Sequence, residues 1–130
     1  MVRGAGEESV AALLALAESQ DLRHRAEEAC RVWLRSAAAE DGLRGWTLGD
    51  IEPRFDRCML VFDHSVLDYP FFEMRFGLYV SDPGGNRFRD LRPVGHYRLI
   101  TRLDGTPDDD YFVLDIDKHA EPVASADGAA

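Results

Sequence analysis

One stretch constrains the fold more than any other. Phe72, Met74, Phe76, Leu78 and Val80 alternate with Glu73, Arg75, Gly77, Tyr79 and Ser81. A period of two over ten residues is the pattern of a strand with one buried and one wetted face. Neighbouring segments supply its partners. Strand character starts at Phe55, and Cys58 to Phe62 is continuously apolar, so both faces of that strand are expected to be covered. Asp63 to Pro70 breaks it. Asp82-Pro83-Gly84-Gly85-Asn86 is turn material, because Pro fixes one φ and Gly permits positive φ. Val94 to Leu103 reads as a third strand with Tyr97, Leu99, Thr101 and Leu103 on one side. Asp104-Gly105 opens the last turn, and Tyr111 to Ile116 closes the sheet.

The first third has a different period. Val10, Leu13, Leu14 and Ala17 recur at helical spacing, which predicts a helix over 8–19. Asp21 suits the N-cap of a second helix, with Leu22, Ala26, Ala29, Cys30, Trp33 and Ala37 on its apolar face and Gly42 and Gly45 ending it. Gly49 and Pro53 argue against a long element between them, though Trp46 and Ile51 can pin that connection to the core. The expected architecture is α+β: two N-terminal helices packed on one face of a four-stranded antiparallel meander. A single domain is expected over 1–117. The Ala, Pro, Ser and Asp that follow predict a disordered tail over 118–130.

A chain of 130 residues buries roughly two-thirds of its unfolded surface and needs no disulfide or metal staple. The formal net charge of −9 disfavours nucleic acid and anionic membranes as partners, since both need a surplus of Lys and Arg. No apolar run approaches the ~18 residues of a membrane span. Glu7 and Glu8 stand where a signal peptide would carry basic residues, and a cytoplasmic location is expected. Cys30 and Cys58 lack the spacing of a redox or zinc pair and are expected to be buried free thiols.

Asp63-His64-Ser65 holds the residue types of a hydrolase triad, yet consecutive residues of an extended segment cannot form the relay. His24, His64, His96 and His119 have no metal-site spacing, and Asp104 with Asp108, Asp109 and Asp110 lacks the calcium-loop pattern. No cofactor is expected. Those acids read as a solvated hairpin turn. Glycines at Gly4-Ala5-Gly6 and Gly84-Gly85 lack a phosphate-loop setting and read as terminus and turn.

Charge is unevenly spread. Arg87, Arg89, Arg92, Arg98 and Arg102 against Asp90 make that stretch +4, leaving −13 for the remainder. Arg98 and Arg102 project from one sheet face. Their forks suit either an anionic ligand or cross-strand pairing with Glu73 and the Asp108–Asp110 turn.

Gly95-His96-Tyr97-Arg98-Leu99, Leu103-Asp104-Gly105 and Asp110-Tyr111-Phe112-Val113-Leu114 together resemble the closing segment of small bacterial α+β proteins, some of them immunity proteins of toxin systems. In size, acidity and lack of a catalytic set the chain resembles the small tailoring proteins of cinnamycin-type lanthipeptide clusters. That resemblance implies binding of a peptide and addition of its lysine amine to a dehydroalanine, forming lysinoalanine. The alternative it leaves is an immunity-type protein that binds and inhibits a toxin. The candidate binding residues are Arg98, Arg102, His96, Glu73 and Asp63, with Asp63, Glu73 and His96 as candidate bases. Two sheet edges and the aromatic run from Tyr69 to Phe76 lead to the expectation of a homodimer.

Overall fold

The alternating stretch becomes an inner strand of a four-stranded antiparallel sheet. A computed structural model describes residues 5–65, 67–84 and 90–119. Its strands are β1 (Ile51–Val61), β2 (Phe71–Ser81), β3 (Leu91–Arg102) and β4 (Pro107–Leu114), in the order β1-β2-β3-β4. Register sets Phe76 opposite Phe55 on one side and Tyr97 on the other. Phe72, Met74, Phe76, Leu78 and Val80 are all buried, joined by Ile51, Val94, Tyr97 and Leu99. Helix α2 (Leu22–Ala39) covers this face with Leu22, Ala26, Cys30 and Leu34. The architecture is two helices against an open meander, as the periodicities predict.

The apolar stripe of α2 is rotated from the expected one. Leu34 occupies the core, whereas Trp33 is 41% exposed at its margin. Trp33 stacks on Phe112 with centroids 5.8 Å apart, and its Nε1 donates to Asp110 Oδ2 at 2.8 Å. Asp110 Oδ2 also accepts the hydroxyl of fully buried Tyr97 at 2.8 Å. One carboxylate therefore ties α2, β3 and β4 together.

Helix α1 (Ala5–Ser19) docks through its C-terminal half, where Ala17 is buried and Leu13 and Leu16 pack half-buried against the core, while Val10 and Leu14 are 65% and 58% exposed. Asp21 does not cap α2 as expected. It adopts the left-handed conformation with φ 52° and no side-chain cap bond, forming the hinge between the helices. At the other end of α2, Asp41 takes the positive φ that glycine usually supplies, and Gly42 N–H donates to Ala37 O at 2.7 Å. Ala5 and Gly6 are helical rather than terminus material.

β1 begins earlier than expected. Thr47 and Asp50 form a capping box around the short turn Leu48–Asp50, and Ile51 leads directly into the strand. Pro53 is tolerated because β1 is an edge strand, where a missing N–H leaves no ladder bond unmade. The edge position also corrects the expectation for the apolar run, since Cys58 is exposed and Phe62 is 74% exposed. Trp46 Nε1 donates to Ile116 O at 2.9 Å and pins the connection.

β4 starts at Pro107, so Asp108, Asp109 and Asp110 lie in the strand and not in a solvated turn. The turn itself is Leu103–Thr106, with Gly105 at φ +89°. Gly85, Asn86, Arg87, Arg89 and the tail beyond His119 lie outside the described residues, and the expected +4 stretch is accordingly described only at Asp90, Arg92, Arg98 and Arg102. Among the described residues, no helix is long and apolar enough to cross a membrane.

Candidate functional site

The sheet face turned away from the helices carries the candidate site. The pleat directs Phe71, Glu73, Arg75, Gly77 and Tyr79 of β2 to this side, with His96, Arg98, Ile100 and Arg102 of β3 and Asp109, Tyr111 and Val113 of β4. The segment between β1 and β2 folds back onto it. His64 meets Phe71 edge to face at 5.5 Å, and its Nδ1 accepts the Leu67 N–H at 3.3 Å. Tyr69 donates its hydroxyl to Asp108 Oδ2.

A pocket of about 420 Å³ lies between this segment and β4, with Tyr69, Glu73, Arg98, Asp108, Asp109 and Tyr111 supplying its polar and aromatic lining. Arg98 Nη1 meets Glu73 Oε1 at 3.3 Å, and the Glu73 side chain is only 11% exposed. The Arg98 guanidinium also lies over the Tyr111 ring at 4.7 Å, and Arg102 lies over Tyr69 at the same distance. The Tyr111 hydroxyl is held above its ordinary pKa by its hydrogen bond to Asp109 and the charge of that carboxylate. Three carboxylates and one guanidinium line the pocket.

Of the five expected residues, Glu73 and Arg98 line the pocket, while Arg102 and His96 share its sheet face outside the lining. Glu73 and Arg98 form the ion pair, Arg102 braces Tyr69, and His96 stands on the same face opposite Gly77. Asp63 is exposed on the returning segment and does not line the pocket. Tyr69, Tyr111, His64, Asp108 and Asp109 are the site residues that sequence reasoning missed. Placing Pro107 at the start of β4 would have set Tyr111 opposite Arg98 and Asp109 opposite Ile100.

His96 is held below its ordinary pKa of 6.5, first by burial and then by Arg75 and Arg98. A depressed pKa means the unfolded chain takes the proton first, so its contribution to stability is complete above 6.5 and lost as pH falls below it. We expect the His96 ring to titrate below 6.5 in an NMR pH series, with Arg75→Gln moving the midpoint upward; a midpoint at or above 6.5 would contradict this environment.

The two thiols separate by environment. Burial pushes Cys30 from 9.0 up to about 12, whereas Cys58 is exposed on the edge strand. Cys58 is expected to react with a maleimide in the native protein and Cys30 only after unfolding, as read by mass spectrometry. Stability owed to the protonated Cys30 is complete below pH 9.0 and declines as pH rises from there toward about 12.

Behind β4, on the helix side, lies a second pocket of about 410 Å³ lined by Arg25, Ala29, Leu99 and Pro107 through Asp110. Arg25 is held there by its bond from Nη2 to Gly105 O at 2.7 Å. Among the described residues, no group of three or more His, Cys, Asp or Glu is arranged to hold a metal ion. The chain matches no protein-family model, no curated protein and no solved structure.

Proposed function

We propose that the chain is a peptide-binding protein that seats a basic side chain of its ligand in the pocket between the returning segment and β4. The observation that carries this reading is the convergence of Glu73, Asp108 and Asp109 on one pocket against the single guanidinium of Arg98. Opposite charge attracts an ammonium group, and Glu73, its side chain 11% exposed, is the carboxylate partly withdrawn from water. The site already uses cation-to-ring contacts at Tyr69 and Tyr111.

A lysine held there is the nucleophile required by the addition that the resemblance to lanthipeptide-tailoring proteins implies. The ammonium gives a proton to a carboxylate. The freed amine forms the bond from Nζ to Cβ of dehydroalanine as the double bond opens, Cα takes the proton back from the carboxylic acid, and the product nitrogen remains a secondary ammonium. Positioning the two groups would supply roughly 7–11 kcal/mol of such a barrier. Glu73 and His96 are the candidate bases on this face.

The test is the anisotropy of a labelled lysine-bearing peptide against its norleucine counterpart. Binding of the lysine peptide alone, weakened roughly tenfold by Asp108→Asn combined with Glu73→Gln, is the expected result. Equal binding of the norleucine peptide would sink the reading. Incubation with a dehydrated precursor tests the cross-linking step separately, because an unchanged count of free amines removes the chemistry and leaves the binding.

The immunity-type alternative is favoured by the net charge of −9, which suits a basic toxin. Unchanged toxin lethality on co-expression would remove it. A cytoplasmic setting and a homodimer complete the proposal, supported by the unpaired thiols and by exposed Val10, Leu14 and Phe62. The aromatic run from Tyr69 to Phe76 does not contribute to such an interface, since Phe71, Phe72 and Phe76 are buried. A monomer in sedimentation at tens of micromolar would exclude the dimer.

A further inference from the structure

The two carboxylate-lined pockets lie on opposite sides of one edge strand, and this relation says how a peptide backbone would be held. The order β1-β2-β3-β4 leaves β4 at the edge, and among the described residues no strand pairs with its outer side. Asp115 N–H donates to Val94 O at 3.0 Å. The antiparallel alternation then turns the backbone groups of Asp110, Phe112 and Leu114 outward, away from β3. Asp110 N–H is met there by Asp109 Oδ1 at 2.8 Å.

Side chains of a strand added at this edge point alternately to the two faces of the sheet. On the open face they reach the pocket holding Glu73, Asp108, Asp109 and Tyr111, and on the helix face the pocket holding Arg25, Ala29 and Asp108 through Asp110. Asp108 and Asp109 line both pockets, so each face presents three carboxylates against one arginine. Arg25 is tied to Gly105 O, Arg98 to Glu73 and Asp110 to Trp33 and Tyr97, which leaves Asp108 and Asp109 to meet incoming positive charge.

We propose that β4 accepts an extended, lysine-rich peptide as a fifth, edge-paired strand, with neighbouring basic residues entering the two pockets. Main-chain pairing supplies the affinity and the pockets supply the selection, the division of labour known from strand addition. Asp109 gives up the Asp110 N–H on binding and turns to the incoming cation. The inference rests on the peptide-binding reading above and adds the geometry of the bound backbone.

Two versions of one labelled lysine-rich octapeptide test it, each N-methylated at one of the two alternate sets of residues. A paired strand uses only one set of its amides, so one version should bind roughly tenfold more weakly and the other much like the parent. In the complex with the parent peptide, the amides of Phe112 and Leu114 should exchange more slowly with solvent. Equal effects of the two methylation patterns would overturn strand addition while leaving binding in the pocket intact. Failure of the unmethylated peptide to bind would remove both readings together.

Discussion

Gly95→Ala is expected to destabilise the fold by about 3 kcal/mol or more, beyond the usual range for a single added methyl group. A Cβ at this position would stand 2.1 Å from Val113 O and 2.9 Å from Leu114 Cα. Both are backbone atoms of the paired strand, so no side-chain rotation relieves the contact. The close approach arises where β3 bulges: Leu78 pairs with Gly95 and Tyr79 with Pro93, which leaves Val94 as the extra residue. Thermal unfolding should show a midpoint lowered by roughly 10 °C. A loss under about 1 kcal/mol would mean that β3 and β4 separate there at little cost.

Asp110→Ala should come next in size, at about 3 kcal/mol. The change strands two donors at once, because Trp33 Nε1 and the Tyr97 hydroxyl both meet Asp110 Oδ2 at 2.8 Å. Tyr97 is fully buried and bears the larger share of this loss, because Trp33, 41% exposed, can turn to water. Burial and the neighbouring carboxylate also raise the pKa of the Tyr97 hydroxyl, which keeps it protonated as a donor. Asp110→Asn keeps an acceptor and should lose much less. In a Tyr97→Phe background the alanine change should be milder, since one stranded donor is already gone. Strictly additive losses in urea unfolding would show that the shared oxygen does not couple the two residues.

The parts of this fold legible in the sequence are those governed by a local period. The alternation from Phe72 to Val80 determined which residues enter the core, and Tyr97, Leu99 and Thr101 followed the same rule on β3. Glu73, Arg98, Arg102 and His96 could be set on one face for that reason alone. Features that depend on position within the sheet were not legible. An apolar run such as Cys58 to Phe62 reads as a covered strand, yet it lies at an edge, and nothing local encodes that. Pro107 and three aspartates are poor strand formers, so the start of β4 is set by pairing with β3 and not by propensity. The offset in register hid the contacts of Tyr111 and Asp109 with the pocket. Tyr69 was hidden for another reason, since its contact with Asp108 joins residues far apart in the chain.

The docking of α1 by its C-terminal half alone, through buried Ala17 with Leu13 and Leu16 half-buried beside it, has a consequence for how the molecule opens. A helix that buries so little, joined to α2 through the left-handed hinge at Asp21, can detach while the sheet and α2 remain folded. Such partial opening requires only a fraction of the global unfolding free energy. Limited proteolysis should therefore nick α1 first, leaving a protected fragment that begins near the hinge.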